Sequence, residues 1–332
     1  MSRYADAFKN TKGPGDARPT ALQIVKDNDL IGKLDGKVAL VTGTSSGIGV
    51  DTAIALKATG MRVFGAVRNL EKGKEALGDH LEPGRLELIH LDMNSLDSVR
   101  ACAKEFLSKS DTLNILVNNA GIMTTPEGRT ADGFELQFGT NHLAHFLLFE
   151  LLKPTLLKSA TPEFGSRVVC VSSTGHRGGE IQFDNLQLEG IYTPALGYAQ
   201  AKLANIYMAN EIERRYGAQN LHGFSLHPGG IWTGLQIHMG DEVIANYKKD
   251  DYVKNHMMNT EQGAATQVWA AVAKEWEGKG GKYLEFCQEA QPVKEGFGVL
   301  DLGYEKYAYD EEKEGKLWKA SEDLVKPWST KA

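Results

Sequence analysis

The 332-residue chain is poor in cysteine and proline and has no long apolar run, and each scarcity removes a class of protein. Three cysteines, Cys102, Cys170 and Cys287, are widely spaced, odd in number and form no Cys-x-x-Cys pair. That excludes a disulfide scaffold or paired-thiol motif and points to a reducing compartment. Ten prolines and 42% hydrophobic residues exclude a collagen-like or disordered chain. The longest apolar cluster, FLLFELL at 146–152, is too short to cross a bilayer and is interrupted by Glu150. The opening segment is polar and lacks the apolar stretch of a signal peptide or membrane anchor. Basic charge is also in deficit, with 37 Lys and Arg against 43 Asp and Glu, so nothing draws the chain to nucleic acid or an anionic membrane. The expectation is a cytoplasmic protein with a small-molecule partner, no nucleic-acid partner and no membrane anchor.

What is present is an alternation. Apolar segments KVALVT, MRVFGAV, RLELIHL, LNILVN, RVVCVS, HGFSLH and GKYLEF are separated by longer helical patterns from residue 37 onward. Several are continuously apolar, as strands become when helices cover both faces of a parallel sheet. The pattern predicts an α/β fold, one doubly wound parallel sheet of about seven strands occupying residues 36–325. Residues 1–35 read as an N-terminal extension, with a helical patch capped by Thr20 whose Leu22, Ile24, Val25 and Ile31 dock on the body. Residues 175–197 read as an irregular insertion, 232–262 as an apolar lid and 326–332 as a tail. The stripe LAHFLLFELLKPTLL is an amphipathic helix that packs either on the sheet or against a second copy in a homo-oligomer. The charges of 304–325 are expected to form a solvated helix face.

The turn TGTSSGIG, 42–49, follows the first strand and opens a helical pattern, the context in which a glycine-rich turn cradles a phosphate. Gly43, Gly47 and Gly49 allow close approach of the backbone, and Ser45, Ser46 and Ile48 lie at the helix start, whose free amides suit a pyrophosphate. The second strand ends in Arg68 rather than a carboxylate, which favours a 2′-phosphate and hence NADP(H) over NAD.

Four further motifs follow in order: NNAG at 118–121, TNHLAHF at 140–146, VSS at 171–173 and YAQAK at 198–202. With the glycine turn, this ordered set resembles the short-chain dehydrogenase/reductase family over residues 36 to about 235. The resemblance implies a Rossmann fold and catalysis by Asn141, Ser173, Tyr198 and Lys202, with Ser172 as the near alternative to Ser173. On a helix Tyr198 and Lys202 share a face, so the ammonium is expected to lower the tyrosine pKa and ready it as general acid or base. The resemblance also implies that Asn119, Ala120 and Gly121 line the cofactor and that Asp92 and Met93 sit at the adenine. In HPGGIWT it places Pro228, Gly229, Ile231 and Thr233 against the nicotinamide. His176, Trp232 and Leu235 are substrate-contact candidates, though His176 reads more readily as a solvated loop residue than as a contact. A second Tyr-x-x-x-Lys match, Tyr309 and Lys313, lacks a preceding strand motif and reads as coincidence.

The interval between serine and tyrosine, together with SSTGH, FDNLQ and YAQAKLAN, is similar to the branch containing retinol dehydrogenases and the WW-domain-containing oxidoreductase, without the membrane anchor or WW domain. The reading is an NADPH-dependent carbonyl reductase or alcohol dehydrogenase for an apolar aldehyde, ketone or secondary alcohol. Alternatives are a catalytically weak NADPH-binding regulatory or sensor protein and, third, a sugar-nucleotide epimerase. His142 and His145 lack a third ligand at a recognisable spacing, so no metal is expected.

Overall fold

The computed structural model describes residues 2–298 and 301–329, and a single eight-stranded sheet runs through them. Its strands are β1 (Val38–Thr42), β2 (Arg62–Val67), β3 (Leu86–His90), β4 (Ile115–Asn118), β5 (Ser166–Val171), β6 (Leu221–His227), β7 (Lys282–Glu285) and β8 (Gln288–Glu289). They lie in the order β3-β2-β1-β4-β5-β6-β7-β8, all parallel except β8 against β7. The chain starts at β1, winds outward to β3, then returns to β4 on the other side of β1. At that switch point the connections diverge and open a crevice above the strand C-termini.

The helices are α1 (Ala21–Asp27), α2 (Ile48–Ala58), α3 (Leu70–Leu77), α4 (Leu96–Lys109), α5 (Leu136–Phe138), α6 (Ala144–Ser159), α7 (Pro194–Tyr216), α8 (Asp241–Lys249), α9 (Asp251–His256), α10 (Thr260–Gly263), α11 (Ala265–Val272) and α12 (Glu311–Ser329). Alternation along the strands sorts the core into two layers. Leu40, Phe64, Leu116 and Val168 face α4, α6, α7 and α12, whereas Val41, Val63, Ile115 and Val169 face α1, α2 and α11.

The differences from the sequence reading have local causes. Strand β8 has only two residues and follows a turn in which Phe286 and Cys287 both take positive φ, a role usually signalled by glycine or asparagine. In the extension, Ile24 and Val25 are buried as expected, but Leu22 and Ile31 are 38% and 48% exposed. Helix α7 begins at Pro194, capped by the Thr193 hydroxyl, so the irregular insertion ends before 194. Helix α6 is covered within its own chain, with Phe146 and Phe149 against Trp318 of α12. The 304–325 charges are not all solvated: Glu314 is buried, paired with Arg214 and accepting from Asn210 Nδ2 at 2.7 Å. Lys326–Ser329 complete α12 rather than forming a tail, and 330–332 lie outside the described residues.

Candidate active site

The turn after β1 is shaped by two different demands on glycine. Gly43 and Gly47 have φ of +77° and +63°, which a side chain resists. Gly49 instead needs emptiness: an added Cβ would overlap the Gly43 carbonyl and lie 2.6 Å from Asn119 Nδ2. No side chain caps α2, so its first-turn amides face outward from the turn. Ser45 is half-buried, Ser46 is exposed and Ile48 packs against Ile231 and Gly263. The Thr44 hydroxyl is buried without a partner and lies where a Gly65 side chain would be.

Thr42 ties this turn to β4. Its hydroxyl accepts the amides of Asn119 and Ala120, each at 2.9 Å, and meets His145 Nε2 at 2.9 Å. Asn119 Nδ2 donates to Thr42 O at 2.8 Å, closing the two loops on each other. Because the hydroxyl already accepts twice, its proton goes to His145 Nε2. His145 Nδ1 then carries a hydrogen and donates it to Asn141 O at 2.9 Å.

Asn141 sits in one turn of π-helix, Gly139–Leu143, between α5 and α6. Its side chain accepts from Ile122 N and donates to Ile122 O, both at 2.9 Å. Gly121 lies between that amide and the catalytic lysine candidate, since a Cβ there would be 3.1 Å from Asn141 Oδ1 and 3.4 Å from Lys202 Nζ. Lys202 Nζ donates to Val171 O at 3.1 Å and lies 5.6 Å from the Tyr198 ring centroid. Ser173 Oγ accepts the Gly175 amide at 3.0 Å and stands beside the Tyr198 ring, the two flanking Gly175, where an added Cβ would be 2.7 Å from the ring and 3.3 Å from the hydroxyl. Ser172 points elsewhere, donating to Lys202 O at 2.7 Å, so of the two serines Ser173 is the one beside the tyrosine.

Burial, not the ammonium, governs this pair. Tyr198 is pushed up to about 12 by loss of solvent, with Ser173 opposing, and Lys202 is pushed down to about 8 by the same loss. The expected lowering of the phenol is therefore absent: Lys202 lies over the ring and spends a hydrogen bond on Val171 O. At neutral pH the phenol holds its proton.

The remaining candidates divide. Arg68 is exposed at the end of β2 and has no partner among the described residues, while Asp92 and buried Met93 follow β3 beside it. Asp92 Oδ1 accepts the Asn94 amide at 3.0 Å. Pro228, Gly229 and Ile231 follow β6, and Thr233 lies against Gly47, 3.3 Å from where a Cβ there would stand. Trp232 and Leu235 are half-buried, with Lys248 Nζ 5.5 Å from the Trp232 ring centroid. His176 is neither solvated nor free: it is buried, with Nδ1 2.6 Å from Ser173 O and Nε2 accepting Glu305 N at 3.4 Å. It braces the serine backbone. His142 meets Ser321 Oγ at 2.8 Å, away from the His145 contacts, and no metal-holding group of acidic, histidine or cysteine side chains occurs among the described residues. Tyr309 accepts the Tyr283 amide and Lys313 pairs with Glu180.

Sequence reasoning gave Thr42 no role and weighed His145 only as a metal ligand. Their signal is the second histidine of NHLAH, four residues after Asn141, where a helical side chain reaches back to a backbone carbonyl. It also passed over Glu285, buried at the end of β7 beside His227, pushed up to about 7 by burial and with Oε2 unpartnered.

The short chain dehydrogenase family profile matches residues 37–243, more than half of the chain. The protein is a short-chain dehydrogenase/reductase. This short-chain dehydrogenase/reductase is 56% identical over 319 residues to "Short-chain dehydrogenase/reductase prx1" of Penicillium roqueforti, covering 96% of this chain and 94% of that one. It is 36% identical to mouse retinol dehydrogenase 14, covering 89% of this chain and 87% of the relative. A crystal structure of an uncharacterized Mycobacterium paratuberculosis protein superposes with a TM-score of 0.65 at 32% identity, covering 88% and 94% of the two chains. A Burkholderia cenocepacia short chain dehydrogenase in complex with NADP shares the fold, with a TM-score of 0.60 at 23% identity over 76% and 97%. Resemblance to the retinol dehydrogenase branch, expected from the motifs, is thus found across most of the chain. No described helix is long and apolar enough to cross a membrane.

Proposed function

We propose that this oxidoreductase is an NADPH-dependent carbonyl reductase, reversible as an alcohol dehydrogenase, acting on an apolar aldehyde, ketone or secondary alcohol in the cytoplasm. The observation that carries the reading is the protonated Tyr198 phenol, with Ser173 beside its ring across Gly175 and Lys202 over it, at the strand ends next to the glycine turn.

The residues fit a dinucleotide. The uncapped start of α2 and the space kept clear at Gly43, Gly47 and Gly49 suit a pyrophosphate, with Ser45, Ser46 and Ile48 at its edge. Arg68 suits a 2′-phosphate, and Asp92 and Met93 the adenine. Asn119, Ala120, Gly121, Pro228, Gly229, Ile231 and Thr233 would hold the rest. When bound, NADPH supplies the hydride.

The chain's own part is position and proton. Ser173 orients the substrate oxygen toward Tyr198, whose phenol donates its proton as negative charge grows on that oxygen. Lys202, still largely protonated at neutral pH despite its lowered pKa, stabilises the phenolate left behind and presents a proton for its return. Asn141, locked to Ile122, keeps Gly121 and Lys202 in register. The buried thiols of Cys102, Cys170 and Cys287 suit a reducing compartment.

The test is NADPH consumption against a panel of aldehydes, ketones and quinones. Tyr198→Phe should lower kcat by about 10²- to 10⁴-fold while leaving NADPH affinity within about twofold. Wild-type turnover in that variant would overturn the assignment of the acid, and tight NADPH binding with no turnover by either protein would favour the sensor reading.

A further inference from the structure

The least explained part of the sequence, residues 2–20, is fastened to the end of the proposed lid. Arg18, with its side chain fully buried, makes the joint. Its Nη1 donates to His256 O at 2.7 Å, and its Nη2 to Met257 O at 2.7 Å and Gly13 O at 3.0 Å. Its Nε is held by Asp16 Oδ1 at 2.8 Å. A buried guanidinium is costly unless its donors are satisfied, and here they are satisfied by the Asp16 carboxylate, by Gly13 O of its own segment and by carbonyls of the distant 256–257 stretch. The Gly13 amide adds a bond to Asn255 O at 3.0 Å, and the Gly15 amide donates to buried Gln262 at 2.9 Å. Gln262 returns bonds to Asp16 O and Arg18 O, each at 3.2 Å.

The fastened segment continues into the nicotinamide end of the site. Met258, next after Met257, donates its amide to Gly230 O at 2.8 Å and pairs with Ile231 in a parallel bridge. Its methyl occupies the space that a side chain at Gly229 would need, and Met257 Sδ lies 2.7 Å from where a Gly230 Cβ would stand. From the other side Phe8 of the extension stacks on Phe286 at 4.7 Å, beside Ile48, Ile231 and Met258. The amino-terminal segment thus meets the Pro228–Ile231 turn indirectly, through the 255–258 stretch that it holds and through Phe8 in the apolar cluster of Ile231, Met258 and Phe286.

We propose that Arg18 is a positioning residue, and that residues 4–18 act as an internal clasp holding the base of the 232–262 segment and, through Met257 and Met258, the Pro228–Ile231 turn. The assignment of that turn to the nicotinamide rests on the function proposed above; the clasp itself does not.

Hydrogen exchange of the ligand-free protein therefore comes first, comparing wild type with Arg18→Ala and with Arg18→Lys, which keeps the charge but loses the fork. Arg18→Ala should exchange the Met258 amide at least about tenfold faster, with β1 to β5 unchanged, and Arg18→Lys should fall between. NADPH titration of the same proteins should show a Kd several-fold higher for Arg18→Ala, with partial rescue by lysine. Wild-type exchange at Met258 in either folded variant, or acceleration spread evenly over the sheet, overturns the clasp. If Arg18→Ala does not fold, the lysine variant decides by the same two readouts. Failure of the wild type to bind NADPH would overturn the cofactor reading and leave the exchange comparison as the test of the clasp.

Discussion

Replacing Gly49 by alanine separates contact from conformation as the reason for a glycine. Gly49 lies inside α2 and is not at positive φ, so conformation alone favours alanine by about 1 kcal/mol. Contact opposes it: the new methyl would overlap the Gly43 carbonyl, 2.6 Å from Asn119 Nδ2 and 3.0 Å from Gly43 C. Comfortable separation is roughly 3.5 Å, so the turn and the start of α2 must part by about 1 Å. Overpacking of this kind costs about 1–3 kcal/mol and can exceed it where, as here, the obstacle is backbone. With backbone as the obstacle the overpacking lies at the upper end, so the net loss is about 1–2 kcal/mol, or a Tm lower by about 1.5–3 °C in a chain of this size. The same displacement withdraws one or two charge-assisted amide contacts from a pyrophosphate, each worth about 1.5–3 kcal/mol, so the NADPH Kd should rise at least about tenfold. Thermal unfolding with and without NADPH, alongside a fluorescence titration, measures both. Gly78→Ala is the control, because Gly78 has φ +46° but nothing within 4 Å of an added Cβ. It should lower Tm through backbone strain and leave the Kd alone. A Gly49→Ala protein with wild-type Tm and wild-type Kd would refute the reasoning.

Arg68→Ala should weaken NADPH binding by about 10- to 100-fold and NADH binding hardly at all, since only the former carries the 2′-phosphate; parallel titrations with the two cofactors check this. His145→Phe keeps an aromatic ring but takes the imidazole donor from the Asn141 carbonyl and leaves the Thr42 proton only the longer contact to Val117 O at 3.4 Å, so denaturant unfolding should show a loss of about 1–3 kcal/mol. Acid should destabilise the fold well above the carboxylate range. Burial pushes His142, His145, His176 and His227 down to about 3, 4, 4 and 3, so below about pH 6.5 the unfolded chain binds protons that the folded one refuses. Glu285, raised to about 7, offsets one of them and the carboxyls of Asp51, Asp132 and Glu135, also raised by burial, offset more, leaving a net proton uptake on unfolding and a stability that falls as pH drops below about 6.5. A urea midpoint that stays level from pH 7 to pH 5 would contradict this.

The central strands were legible because both of their faces are covered, which writes them as unbroken apolar runs such as KVALV and RVVCV. The glycine turn was legible from its place between a strand and a helix. What was not legible depended on partners far away in sequence. Glu314 reads as a surface charge until Arg214 and Asn210 of α7 are set against it. His176 reads as a loop residue until Tyr283 and the Glu305 amide enclose it. The sense of the Tyr198 shift followed the same rule: spacing gave the Lys202 neighbour, but only the packed pocket reveals that lost solvation outweighs it. The start of α7 is a different case, since Thr193 followed by Pro194 is a local helix-start signal that the irregular reading of 175–197 overrode.

The Gly15 to Gln262 bond joins residues 247 positions apart, which fixes an order of events during synthesis. Helix α1 and residues 4–18 leave the ribosome first, yet α11 and the 255–262 segment against which they lie are made only after most of the sheet. Until residue 257 has emerged, Arg18 has only Asp16 and Gly13 O to receive it. The β1–α2 glycine turn can therefore assemble early from nearby chain, whereas the wall on its far side closes late, through contacts of high sequence separation. A nascent chain stalled before that point would have a formed glycine turn and an open pocket beside it.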